Sequence, residues 1–131
     1  MWKKETAGMV KRYKNFKEVG ETVVLYPDNY INDIEGEKLE ELCTSYLERG
    51  FKKVVIDFSE TDIINSIGVS VLIGMIEKVR DMNGNILFSG LKQVNYDVFS
   101  IVGLTKHIMI YETEEDAIGG NAKASGAVTT A

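Results

Sequence analysis

Blocks of apolar and polar residues along the chain predict strands that alternate with helices. Segments rich in β-branched and apolar residues predict strands, the first at a sheet edge, over residues 10–16, 22–26, 53–58, 85–88 and 107–111. Apolar residues at helical spacing predict helices through residues 39–47, 66–82, 93–102 and 114–118. Strands that alternate with helices favour parallel pairing. The sequence therefore predicts an α/β fold, with a mixed, mainly parallel sheet of about four or five strands and three or four helices.

The same spacing predicts which side of each helix faces the core. One face of the first helix holds Leu39, Leu42, Cys43, Tyr46 and Leu47. In the second helix the predicted core face holds Val69, Leu72, Ile73, Ile76 and Val79, while Ile67, Val71 and Met75 lie on the opposite side. In the third helix the residues predicted to face inward are Val94, Val98, Ile101 and Val102.

The second helix is thus apolar on two faces, which is typical of a helix that is fully buried or that docks a partner. Burial beneath the N-terminal segment or the tail stays open. A small domain, however, has little material with which to cover a second face. We therefore expect Val71 and Met75 to be exposed and to contact a partner.

Length and charge narrow the class of protein. A chain of 131 residues is expected to form one domain, here residues 9–118, with an extension at 1–8 and a tail of small residues at 119–131 that is predicted to be disordered. The net charge of −5 argues against nucleic acid and anionic membrane as partners. The single cysteine, Cys43, the lack of a long apolar run and the lack of a secretory signal all favour the cytoplasm.

The segment from residue 54 to 68 carries the most chemical information. It is predicted to be a buried strand, a polar turn and then Ser66 at the opening of the second helix. A hydroxyl at that place lies among unpaired backbone N–H groups, at the positive end of the helix dipole. A phosphate on Ser66 would be stabilised there. Because serine is also a favoured N-cap, a purely structural role for Ser66 stays open and is compatible with phosphorylation.

A known family shares this pattern. Asp57-Phe58-Ser59, then Ser66-Ile67-Gly68, an apolar helix and an Asn83-Gly84-Asn85 strand entry resemble the anti-sigma-factor antagonist branch of the STAS domains, over about residues 10–118. The resemblance implies the STAS fold and makes Ser66 the phosphorylated serine. It also implies a switch turn built from Asp57, Ser59, Asn65 and Gly68. The sequence departs from the family at Asn65 and Ile67, where Asp and a second hydroxyl residue are usual, and in the loop at 27–32.

The resemblance also implies a function in bacterial transcription regulation. Unmodified, the protein would bind an anti-sigma factor that is also a serine kinase, and so release a sigma factor. Phosphorylation of Ser66 with ATP would end that binding, and a metal-dependent serine phosphatase would restore it. The residues expected to contact the kinase are Asn29, Tyr30, Ile67, Val71 and Met75. No cofactor, bound metal or catalytic activity of the chain itself is expected.

Other functions stay open. In a non-catalytic scaffold, the same domain would assemble with like domains in a sensory complex, and Ser66 would not be modified. A homo-oligomer also stays open. A serine hydrolase is disfavoured because the single histidine, His107, opens a predicted strand and Gly-x-Ser-x-Gly is absent. The acidic residues near Asp57 are more typical of a solvated turn than of a metal site.

Overall fold

A computed structural model of the chain describes residues 10–12 and 15–120, with side chains from residue 15 onward. The strands are β1 Val10–Arg12, β2 Phe16–Val19, β3 Thr22–Leu25, β4 Tyr30–Ile31, β5 Lys53–Asp57, β6 Ile63–Ile64, β7 Asn85–Ser89 and β8 Ile110–Tyr111. The helices are α1 Asp33–Glu48, α2 Ser66–Asp81, α3 Gln93–Ile101 and α4 Glu114–Gly119, with a 3₁₀ turn at Leu104–Lys106. Each predicted helix is present.

The main sheet has six strands in the order β1-β2-β3-β5-β7-β8. The pairs β1–β2 and β2–β3 are antiparallel, and the three pairs that follow are parallel. The predicted mixed α/β fold is confirmed, but the main sheet has more strands than expected. The predicted first strand is in fact β1 and the start of β2, and β2 turns back through Gly20, whose φ is +59°.

Successive side chains of the central strands point to opposite faces of the sheet. One face holds Val23, Leu25, Val54, Ile56, Ile86 and Phe88, which pack beneath α1, α2 and α3. The other face holds a smaller cluster of Val24, Tyr26, Val55, Leu87 and Tyr111, which packs against Ala117 of α4. Burial on both faces explains the near-continuous apolar run of β5.

At Val71 and Met75, the second face of α2 is covered within the molecule by α1. Met75 is fully buried, and the Cys43 thiol lies 3.7 Å from its sulfur. Val71 is half-buried, and its side chain lies 3.0 Å from the place where a Cβ on Gly36 would be. The prediction that Met75 is exposed and contacts a partner is therefore wrong, and exposure of Val71 is only partial. Among the described residues, the cover comes from α1, the helix that joins β3 to β5 in the main sheet.

Two further predicted faces are corrected. In α3 the side chains of Val94, Ile101 and Val102 are 52%, 83% and 50% exposed, while Asn95 and Phe99 are buried. Phe99 takes the inner position because it packs edge-on against Phe58 in the core. In α1, Leu42 is 39% exposed, although Leu39, Cys43 and Tyr46 on the same predicted face are buried.

Two predicted segments lie at the ends of the chain. The extension at 1–8 lies outside the described residues, as does the part of the predicted tail beyond Gly120. The last predicted strand, 107–111, is shorter than expected: His107 is the C-cap of the 3₁₀ turn at Leu104–Lys106, and only Ile110–Tyr111 pair with β7. Within residues 15–120, none of the helices has the length and apolar character needed to cross a membrane.

Candidate functional site

Ser66 lies on a small platform made by two loops. The two-residue strands β4 and β6 pair in parallel, with Tyr30 opposite Ile63. The Asn29 carbonyl accepts hydrogen bonds from the N–H groups of Asp62 at 2.8 Å and of Ile63 at 3.1 Å. The loop at 27–32 is thereby tied to the turn that precedes α2. This pairing was missed by the sequence analysis, since a pair of residues is too short to show a strand pattern.

Asn65, and not Ser66, is the N-cap of α2. The Asn65 side-chain oxygen accepts a hydrogen bond from the Gly68 N–H at 2.7 Å, and its backbone carbonyl accepts one from Val69 at 2.9 Å. The Asn65 amide also donates to the Tyr30 hydroxyl at 3.1 Å. The N-cap interpretation of Ser66 is therefore wrong, because Asn65 already fills that position. Asn65 instead fixes the start of the helix and links it to Tyr30.

Gly68 allows α2 to begin directly against β4. A Cβ at this position would lie 2.6 Å from the Ile31 carbonyl oxygen, closer than such contacts occur. The same carbonyl accepts a hydrogen bond from the Asn65 N–H at 3.0 Å. The requirement for glycine here is thus steric, since any side chain would push the first turn of α2 away from the platform.

Ser66 is the first residue of α2 and its side chain is exposed, as predicted. Within residues 15–120 its hydroxyl makes no hydrogen bond. The helix leaves its first N–H groups without partners inside the helix. Asn65 satisfies those of Gly68 and Val69, which leaves the N–H groups of Ser66 and Ile67 open to an added acceptor. The first turn contains no acidic residue.

Asp57 organises the turn after β5 and is itself buried. One carboxylate oxygen accepts hydrogen bonds from the Ser59 N–H at 3.0 Å and from the Ser59 hydroxyl. The other accepts one from the Ser89 hydroxyl at 2.8 Å. The Ser59 hydroxyl is thus held by the Asp57 side chain. Asp57 and Ser59 therefore shape the turn, and neither lies in the first turn of α2.

Two buried polar residues that were not predicted, Thr61 and Asn95, hydrogen-bond to backbone carbonyls of the platform loops on their buried side. The Thr61 hydroxyl donates to the Asp28 carbonyl at 2.9 Å. The Asn95 amide of α3 donates to the carbonyls of Thr61 at 3.4 Å and Asp62 at 3.2 Å. Both side chains are almost fully buried. Asn95 was not among the residues of α3 predicted to face inward, so this role had no signal in the sequence.

Several exposed apolar side chains come from the elements that carry and flank Ser66. Tyr30 and Ile67, which were predicted to contact a partner, are 48% and 55% exposed. Two further side chains, Ile34 at 69% and Ile63 at 49%, come from the elements beside them and were not predicted. Asn29 is exposed next to Tyr30. We call Tyr30, Ile34, Ile63 and Ile67 the serine-side patch.

The described part of the chain offers no metal centre, since it contains no group of three His, Cys, Asp or Glu residues able to hold an ion.

A groove of about 500 Å³ lies beside Ser59, and its lining includes Glu60, Glu112, Glu114 and Glu115. Its one ammonium, that of Lys17, is paired with Glu114. The groove is therefore strongly acidic, in contrast to the first turn of α2.

Known proteins resemble this chain in sequence and in fold. The sequence profile of the STAS domain matches residues 13–117. The chain is 26% identical over 87 residues to BtrV of Bordetella bronchiseptica, named as a candidate anti-sigma factor antagonist; the match covers 66% of this chain and 75% of that protein.

Two solved structures share the fold. The crystal structure of TM1081 from Thermotoga maritima, also named as a candidate anti-sigma factor antagonist, has a TM-score of 0.72 at 19% identity, over 82% of this chain and 93% of the other. The Bacillus cell fate determinant SpoIIAA in its phosphorylated form has a TM-score of 0.59 at 20% identity, over 85% of this chain and 96% of the other.

Proposed function

The chain belongs to the STAS domain family, and from that premise we propose that it is an anti-sigma factor antagonist controlled by phosphorylation of Ser66. Unmodified, it binds an anti-sigma factor that is also a serine kinase. That kinase phosphorylates Ser66 with ATP, and the phosphorylated protein is released. A serine phosphatase then removes the phosphate, which restores binding. The observation that carries the proposal is the exposed Ser66 hydroxyl in the first turn of α2, which makes no hydrogen bond to any residue from 15 to 120.

Electrostatics favour Ser66 over Ser59 as the phosphate acceptor. A phosphate on Ser66 finds the open N–H groups of Ser66 and Ile67 and the positive end of the α2 dipole. On Ser59 it would meet the Asp57 carboxylate and the acidic groove. Because a phosphoserine carries about −1.5 to −2 charges at neutral pH, the second position is strongly unfavourable.

The serine-side patch supplies the binding surface and also explains the direction of the switch. Tyr30, Ile63 and Ile67 offer an apolar contact area beside the hydroxyl. A docked partner that covers this area removes water from Ser66 as well. A dianion buried there without a cationic partner must lose its hydration, which costs several kcal/mol. At about 1.4 kcal/mol per factor of ten, such a cost weakens binding a hundredfold or more.

Asn65 keeps the serine competent although the family usually has aspartate there. Its side-chain oxygen makes the cap bond to Gly68, which is the bond that an aspartate would make. The amide nitrogen, which an aspartate lacks, donates to the Tyr30 hydroxyl. Asn65 therefore removes a negative charge from the neighbourhood of the phosphate and orients a tyrosine of the binding surface.

The proposal is tested by phosphorylation with the serine kinases encoded in the same genome as this chain. One phosphate is expected, and phosphopeptide mapping should place it on Ser66. Ser66→Ala should abolish labelling, while the matched variant Ser59→Ala should keep it. Label on Ser59, or labelling that survives Ser66→Ala, would contradict the assignment. If no kinase modifies or binds the protein and it is recovered only with like domains, the scaffold function replaces the switch.

A further inference from the structure

A second apolar surface lies on the other flank of α2, between α2 and α3. There a groove of about 290 Å³ is lined by Ile73, Ile76, Val102 and Leu104, with Glu77 and Arg80 among the residues at its side. Beside it, Ile101 at the end of α3 is 83% exposed, the largest exposure among the large apolar side chains of the described chain. This surface is separate from the serine-side patch, because even Ile73, the residue of α2 in the groove lining that is nearest to Ser66, lies about 10 Å from it along the helix.

The groove and the exposed side chain fit each other in size. A cavity of about 150 Å³ is large enough to hold benzene. A groove of about 290 Å³ therefore has room for the four side-chain carbons of an isoleucine. Ile101 cannot enter the groove of its own molecule without unwinding the end of α3, since Val102 directly after it already lines that groove. Ile101 of a second molecule has no such restriction.

The charges at the groove are also self-complementary. Glu77 and Arg80 lie three residues apart on α2, and neither makes an ion pair within residues 15–120. The Arg80 guanidinium donates to the His107 carbonyl, which fixes it at the groove while other N–H groups remain. A surface for a charged partner would carry one sign. Opposite signs side by side suit a two-fold contact, in which Glu77 of each copy meets Arg80 of the other.

We propose that this surface is a homodimer interface in which Ile101 of each copy enters the α2–α3 groove of the other. Two reciprocal Glu77–Arg80 pairs flank the axis. The interface leaves the serine-side patch free, so that each copy of the dimer can bind its own partner. The dimer proposal does not depend on phosphorylation of Ser66, and the experiments below test it independently of that proposal.

Sedimentation velocity over a wide range of protein concentration tests the dimer. The unmodified chain should show a reversible monomer–dimer equilibrium. Ile101→Lys should weaken it about tenfold or more, as truncation of a central interface residue does. The matched variant Ile34→Lys removes another highly exposed isoleucine, 69% against 83% for Ile101, from the serine-side patch and should leave dimerisation unchanged. A chain that stays monomeric at all concentrations, or equal effects of the two variants, would overturn the proposal.

A charge exchange tests the geometry. Glu77→Arg keeps Arg80 and its bond to His107, so the fold should be retained, but it places like charges across the axis and should weaken the dimer. The double variant with Glu77→Arg and Arg80→Glu restores opposite signs and should recover most of the affinity. A double variant that is weaker than Glu77→Arg, with the fold verified by circular dichroism, would contradict the reciprocal pairing.

Discussion

The close approach of α2 to β4 makes Gly68→Ala the most specific structural perturbation of the Ser66 platform. The added Cβ would lie 2.6 Å from the Ile31 carbonyl oxygen, and such contacts essentially never fall below 3.0 Å, so the two elements must part by at least about 0.4 Å. The obstructing atom belongs to the backbone and cannot rotate away. The same movement stretches the Asn65-to-Ile31 bond, now 3.0 Å, and disturbs the Asn65 cap.

The expected magnitude follows from three effects. Overpacking of this kind costs about 1–3 kcal/mol. A weakened N-cap adds up to about 1 kcal/mol. Alanine regains at most about 1 kcal/mol of helix propensity relative to glycine. The last two effects are similar in size and opposite in sign, so the expected loss is about 1–3 kcal/mol in the free energy of unfolding. Urea denaturation measures it, with the denaturant slope m unchanged.

Gly74 provides the matched control on the same helix. It is exposed in the middle of α2, and a Cβ there would meet nothing within 4 Å. Gly74→Ala should therefore stabilise the protein by about 0.8–1.0 kcal/mol. The two alanine variants should shift stability in opposite directions. If Gly68→Ala is as stable as Gly74→Ala, the steric account of the platform is wrong.

Two further predictions concern the α1–α2 contact. Met75→Ala should lose about 2–5 kcal/mol of stability in urea denaturation, similar to Ile76→Ala, because both side chains are buried; a loss below 1 kcal/mol would mean that Met75 is exposed. Burial, with a smaller effect of the Glu40 carboxylate, raises the pKa of the Cys43 thiol from 9.0 to about 12. The contribution of Cys43 to stability should thus be complete below pH 9 and be lost progressively towards pH 12, because the unfolded thiol ionises first. Cys43→Ala should lack that decline, and a thiol reagent that labels native Cys43 as fast as the unfolded chain would contradict its burial.

The sequence predicted the elements that have a strong local pattern. The apolar run of β5 and the long apolar helix after Ser66 identified the serine's position, because these signals come from neighbouring residues alone. Features that depend on distant contacts were not predictable in this way. The β4–β6 pair is held partly by hydrogen bonds from the 62–63 backbone to the Asn29 carbonyl, and Met75 is buried where its sulfur contacts Cys43 of α1.

The third helix shows the same limit. Hydrophobicity placed Val94 and Ile101 inside, yet Asn95 is the buried residue of that turn. Its amide donates to two loop carbonyls, a role that depends on the path of a loop more than 30 residues earlier in the chain. Local pattern contains no information about such a path. The two polar residues that hold the platform, Thr61 and Asn95, were therefore missed for a physical reason.

The central claim is most directly tested by the affinity of the anti-sigma partner for Ser66→Asp and Ser66→Ala. Aspartate suits the first turn of α2, so both variants should fold. The account predicts that Ser66→Ala binds as tightly as the unmodified protein. Ser66→Asp should bind at least about tenfold more weakly, which is a loss of about 1.4 kcal/mol. Equal affinity of Ser66→Asp and the unmodified protein, by isothermal titration calorimetry with every partner recovered, would contradict the phosphorylation switch.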